Sequence, residues 1–189
     1  MATRFKLDVV SPDEERPCEL YVMIKPPACE AGRMRALDLC SCATDRLHMT
    51  IVPLGSARHW PGCEMEALKA GLGRIHHPRF PLSFDRLRAN GRHAELVGST
   101  PMREARAFAR RVFEVLAPLA ASAPAGRGGE PLRERTLRPH VTLNYRTNLR
   151  CDERIAPIAW MADAFLLVES IHGIGHTEHG RWPLAPTLL

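Results

Sequence analysis

The sequence predicts a mixed α+β protein, and three observations carry that prediction. Short apolar runs rich in β-branched residues alternate with helical faces at spacings of three and four, a hairpin signal stands at Asn90 and Gly91, and no glycine-rich phosphate loop of either nucleotide-binding type is present. At 189 residues, with 45% hydrophobic and 25% charged residues, the chain has the size and mix of a single globular domain with a substantial core.

The elements follow in order. After a polar lead-in at 1–17, CELYVMIKP (18–26) reads as a strand that ends at Pro26 and Pro27, because proline cannot donate to a ladder. A short helix is expected over Ala31 to Leu39, followed by a strand in RLHMTIVPLG, Arg46 to Gly55. From Cys63 to Leu72, the residues Met65, Leu68 and Leu72 form one helix face. RFPLSFDRL alternates Phe80, Leu82 and Phe84 as a half-buried strand, and HAELVG is its hairpin partner across the Asn-Gly turn. Ser99 or Thr100 is expected to cap the longest helix, with Pro101 at its first position and Ala105, Phe108, Val112 and Leu116 on its apolar face. SAPAGRGGE (122–130) is a flexible loop by composition, RPHVTLNYR (138–146) a further strand, and DAFLLVES and HTEHGRWPL the last two.

The formal net charge of +5 favours an anionic partner, although the 23 arginines among 26 basic residues read mostly as scattered surface charge. The six cysteines show no C-x-x-C pair and no metal-ligand spacing, as expected of free thiols in a reducing, cytoplasmic compartment. The N-terminus lacks a signal-like apolar stretch, and no run approaches the ~20 apolar residues of a membrane helix. No membrane partner is expected.

The chemistry lies in a repeat. L-H-M-T-I and P-H-V-T-L place His48 and Thr50, and again His140 and Thr142, two residues apart on strands, so each pair shares one face. The copies lie about half the chain apart, which points to an internal duplication. A single copy would read as a buried strand histidine bonded to a neighbour; two copies with the same apolar flanks weaken that reading. Facing one cleft, the paired imidazoles can act as base and acid near neutral pH, and the hydroxyls can hold two nonbridging oxygens. That set suits a phosphodiester and needs no metal or other cofactor, and no carboxylate cluster stands near either motif. Asn144 and Arg146 continue the even-numbered face of the second run. An unbroken strand would carry them to the same phosphate, while at a strand end they would equally be solvated.

With CELYVMIKP, FPLSFDRL, FLLVES and GRWPL, the paired motifs resemble the LigT-like branch of the two-histidine phosphoesterases, the RNA 2′,3′-cyclic phosphodiesterases also called 2′,5′ RNA ligases. The resemblance runs from about Cys18 to Leu184. It implies two pseudo-symmetric lobes of antiparallel sheet with outer helices around a central cleft. It also implies His48, Thr50, His140 and Thr142 as catalytic residues, RNA 3′ ends or small nucleotides as partners, and hydrolysis of a 2′,3′-cyclic phosphate to a 2′-phosphate, with 2′,5′ ligation as a second activity. We assign the base to His140 and the acid to His48. Three positions depart from the pattern: Pro53 stands where many relatives carry a base-stacking aromatic, Tyr145 with Arg146 beside it where many carry arginine, and His176 where the last strand often carries tyrosine. Asn144, Tyr145 and Arg146 are therefore the expected substrate contacts.

The remaining histidines are weaker candidates. His172, His176 and His179 have a spacing compatible with zinc, but a strand and turn would not aim all three at one point. His76 and His77 read as solvated, and Trp182, Phe80 and Phe84 as packing residues. The parity of Tyr21 is open.

Overall fold

The computed structural model describes residues 18–121, 136–171 and 174–186. The lead-in at 1–17, the loop at 122–130 and His172 lie outside the described residues. The elements run β1 (Cys18–Ile24), α1 (Ala28–Arg35), β2 (Met49–Ser56), α2 (Cys63–Gly73), β3 (Phe80–Asn90), β4 (Ala94–Val97), α3 (Arg103–Ala121), β5 (His140–Asn144), β6 (Arg150–Ala162), β7 (Ala164–Ile171) and β8 (Gly175–Pro183). They build two four-stranded antiparallel sheets, ordered β2-β1-β7-β8 and β5-β4-β3-β6. The expected α+β class and its two pseudo-symmetric lobes are both present.

The sheets correspond position by position. In each, an edge strand bearing H-x-T pairs with the strand that precedes it in the chain, across an intervening helix: β1–α1–β2 in the first lobe and β4–α3–β5 in the second. Alternation then sorts the faces. Leu20, Val22 and Leu167 of the first sheet and Leu82, Phe84, Leu96, Val141 and Leu143 of the second are all fully buried in one continuous cluster with α2 and α3. Phe108, Val112 and Leu116 of α3 enter the same cluster, at 0% exposure. Burying each such side chain contributes roughly 1.5–3 kcal/mol, and the opposite faces of both sheets are left for the cleft.

Several boundaries differ from expectation for local reasons. Helix α1 starts three residues earlier, directly after Pro27, whose extended backbone (φ −58°, ψ 159°) sets up the helix entry. Helix α3 starts at Arg103 because Ser99 is engaged elsewhere: its amide donates to Asp85 Oδ1 at 2.7 Å and its hydroxyl to Oδ2. The Asn90 turn forms as predicted, with Gly91 at φ +85° and Asn90 Oδ1 accepting the amides of Arg92 and His93 at 2.9 and 3.1 Å. His77 is half-buried instead of solvated, its ring centroid 5.2 Å from that of Phe108. Strand β6 was not expected. Its first half is charged and exposed, and around Pro157 its register against β3 slips by two residues, so no alternation shows in the sequence.

Candidate active site

Both motifs end at the same structural device. On β2 the pairing passes from Met23–Thr50 to Val22–Val52, which leaves Ile51 as an extra residue. On β5 it passes from Glu95–Thr142 to Ala94–Asn144, which leaves Leu143 extra. A β-bulge therefore follows each threonine and resets the parity of the strand. The histidine and threonine share the cleft face as predicted, but the next residue on that face is three after the threonine.

This corrects the placement of the expected substrate contacts. Asn144 turns back on its own chain, its Oδ1 accepting the Arg146 amide at 2.8 Å, and neither Asn144 nor Arg146 lines the cleft. Tyr145 does line it. In the first copy the corresponding residue is Pro53, paired with Tyr21 and absent from the lining.

The cleft is a cavity of about 580 Å³ that brings His48, Thr50, His140 and Thr142 together with Tyr21, Tyr145, Arg46 and His176, and with Glu19 and Ser170 at its margin. The imidazoles are anchored alike. His48 Nδ1 lies 2.7 Å from the carbonyl oxygen of Arg46, and His140 Nδ1 lies 2.8 Å from that of Arg138. A carbonyl only accepts, so Nδ1 carries the proton in each ring and Nε2 is the nitrogen available to a ligand. The shared sequence form is R-x-H-x-T, in which the arginine supplies a backbone oxygen two residues before the histidine.

The surroundings break this symmetry. Burial, reinforced by Lys25, His140 and Arg46, lowers the pKa of His48 and favours its neutral form. His176, from β8, meets His48 edge to face with ring centroids 5.0 Å apart. Its own pKa is lowered to about 4, first by burial and then by His48, Lys25 and Arg46, and its Nδ1 is buried without a partner in the protein. Burial and then Glu19 and Tyr145 raise the pKa of the Tyr21 phenol, which keeps a neutral hydroxyl in the cleft.

The sequence reading weighed His176 for zinc and missed it as a cleft residue. His176 and His179 diverge, for His179 Nε2 bonds Glu169 Oε2 at 2.8 Å, and a bulge at His179 separates them along β8. Among the described residues no three His, Cys, Asp or Glu side chains are grouped to hold a metal ion. Tyr21 was legible in principle: in E-L-Y-V, Glu19 and Tyr21 alternate with the core residues Leu20 and Val22. Behind Tyr21 on the same face, Met23, Leu166 and Val168 form a small buried apolar cluster.

No protein-family model matches the chain, and no curated protein matches its sequence. Against solved structures, the arrangement is that of the LigT-like phosphoesterase fold. A structure described as a phosphoesterase aligns with 89% of this chain and 99% of its own, at TM-score 0.68 and 25% identity. E. coli LigT in complex with 3′-AMP aligns with 89% of this chain and 99% of its own, at TM-score 0.68 and 24% identity. That E. coli protein has also been solved with phosphate, NADP+ and ATP. TT0787 of Thermus thermophilus shares the fold at TM-score 0.55 and 20% identity, over 90% of this chain and 100% of its own.

Proposed function

We propose that the chain is a phosphodiesterase, one domain carrying both lobes, that opens 2′,3′-cyclic phosphate ends of RNA or small nucleotides to a 2′-phosphate. The observation that carries this reading is the pair of Nδ1-anchored imidazoles, each with a threonine hydroxyl two residues on, lining one cavity. The fold shared with a phosphoesterase and with a nucleotide-binding LigT supports it.

In this mechanism one neutral Nε2 takes a proton from water as the water oxygen attacks phosphorus. The bond from phosphorus to O3′ breaks, and the other imidazole, protonated at Nε2, gives its proton to O3′. The Thr50 and Thr142 hydroxyls donate to the nonbridging oxygens as charge builds there. Burial of His48 favours it as the base and His140 as the acid, the reverse of the assignment made from sequence. With a 5′-hydroxyl in place of water, the same steps form a 2′,5′ linkage. The imidazole pair needs no metal for either reaction. The six free thiols suit a reducing compartment such as the cytoplasm, and no helix among the described residues is long and apolar enough to cross a membrane.

The test is hydrolysis of a short RNA ending in a 2′,3′-cyclic phosphate, with EDTA present, by wild type, His48→Ala and His140→Ala. Release of a 2′-phosphate end by wild type and its loss in both variants is the expected result. Full activity in either variant would remove that histidine from the mechanism, and no turnover by wild type would leave a phosphodiesterase for 2′,5′-linked oligonucleotides or a module that binds nucleotides without cleaving them.

A further inference from the structure

The cleft faces of the two sheets differ in a way that points to the substrate's length. On the second sheet, residues paired across strands share a face. One row runs His140, Val97, Arg86, Arg154 and the next runs Thr142, Glu95, Arg88, Asp152. With strands about 4.8 Å apart, Arg86 stands roughly 10 Å from the His140 backbone, and the row continues to the sheet edge. None of this face belongs to the core, which takes Leu87, Leu96 and Val141 from the alternate positions.

The ion pairs on this face are open to solvent. Asp152 accepts from Arg86 at 2.8 and 3.0 Å and lies 3.6 Å from Arg88, with side-chain exposures of 30% for Arg86, 38% for Arg88 and 46% for Asp152. Two guanidinium groups thus share one carboxylate, while Arg154 is exposed one row away. On the first sheet the corresponding face carries the apolar Met23, Leu166 and Val168 beside Tyr21, and the arginine on that face, Arg181, is paired two-fold to its own carboxylate, Glu178, at 2.9 and 3.0 Å.

We infer that the cleft face of the second sheet is a track for the sugar-phosphate backbone of an RNA strand leading to the reacting end, with Arg86, Arg88 and Arg154 contacting phosphates beyond the terminal nucleotide. Guanidinium groups pair bidentately with phosphate, and a phosphate entering beside Arg86 and Arg88 takes the place of Asp152. The enzyme then prefers an oligonucleotide end over a cyclic mononucleotide. The identity of the anchored end rests on the proposed cyclic-phosphate reaction, but the track does not depend on turnover.

Binding separates the two. Fluorescence anisotropy with a 5′-labelled RNA oligonucleotide bearing a terminal 2′-phosphate, and competition by 2′-AMP, are measured for wild type, Arg86→Ala/Arg154→Ala and Asp152→Asn. Wild type is expected to bind the oligonucleotide more tightly than 2′-AMP. The double variant should lose on the order of tenfold or more in oligonucleotide affinity, with a shallower salt dependence, and keep its affinity for 2′-AMP. Asp152→Asn should tighten oligonucleotide binding, which a merely structural ion pair would not do. Equal wild-type affinity for the two ligands, unchanged oligonucleotide binding in the double variant, or equal losses for both ligands would each overturn the track. Arginine-dependent oligonucleotide binding without hydrolysis of a cyclic end would uphold the track and overturn the proposed reaction.

Discussion

His48 and His140 make the same bond to the carbonyl two residues upstream, and each precedes a threonine and then a bulge. Their neighbours differ. His48 packs against His176 and lies near Lys25 and Arg46, whereas His140 begins an edge strand beside Val97, on the face that carries the arginine ladder. The duplicated backbone supplies two equivalent imidazoles, and the unduplicated surroundings make them unequal. In the proposed reaction, this is what would let one motif serve as both base and acid. The strand that brings His176 over the first sheet, β8, corresponds in the second to β6, which contributes no residue to the cavity lining.

The largest effect expected from breaking this comparison is the loss of either imidazole. Each proton transfer is worth roughly 10²- to 10⁴-fold, so His48→Ala and His140→Ala should each lower kcat on a cyclic-phosphate end by that order. The double variant should fall little further, because the two groups serve one step. The threonines come next. A hydrogen bond to a charged oxygen is worth about 1.5–3 kcal/mol, so Thr50→Ala and Thr142→Ala should each cost roughly 10- to 150-fold in kcat. Similar losses in the two threonine variants would show that the copies hold the phosphate alike. A threonine variant that loses as much as a histidine variant would contradict this division of roles.

A pH series sharpens the asymmetry. Both His48 and His176 titrate lower in the folded protein than in the unfolded chain, where imidazole has a pKa near 6.5. The unfolded state therefore binds more protons as the solution is acidified, and stability falls with pH in that window. The contribution of His176 is fully present above pH 6.5 and is lost as pH falls through about 4. Denaturant midpoints measured from pH 7 to pH 4 should decline, and His176→Phe should flatten the decline. Lys25→Met removes one of the charges that lower the pKa of His48, so its ring protons should titrate at higher pH in that variant, as read by NMR. An unmoved titration would mean that Lys25 does not act on His48, whose state is then set by burial with His140 and Arg46.

Much of this site was legible in the sequence, because a two-residue spacing on a strand fixes a shared face whatever the tertiary context. The residues beyond each threonine were not legible. A bulge has no composition signal in T-I-V or T-L-N, yet one extra residue exchanges the cleft and core sides: Val52 enters the core and Asn144 leaves the cleft. His176 was hidden for a related reason, since its approach to His48 is a contact between β8 and the start of β2 that no local pattern encodes. Strand β6 was hidden by charge and proline on an exposed edge. The alternation of Phe80, Leu82 and Phe84, by contrast, matched the observed core face of β3.

The smallest expected effect tests the bulge itself. Because Ile51 and Leu143 are extra residues, Pro53 and Tyr145 hold equivalent places three residues after their threonines. Tyr145 lines the cavity and is 59% exposed, while Pro53 lies on an edge strand, where proline is tolerated. An aromatic face against a base is worth about 1–3 kcal/mol by alanine substitution. Tyr145→Ala should therefore raise KM for a nucleotide roughly 5- to 150-fold with kcat nearly kept, and Pro53→Tyr should lower KM by a smaller factor, since Tyr21 already occupies the neighbouring place. If Pro53→Tyr leaves KM unchanged while Tyr145→Ala raises it, only the second lobe receives the base. If Tyr145→Ala lowers kcat and leaves KM alone, the phenol acts on the phosphate through its contact with Thr142, and the likeness between the two positions is one of backbone alone.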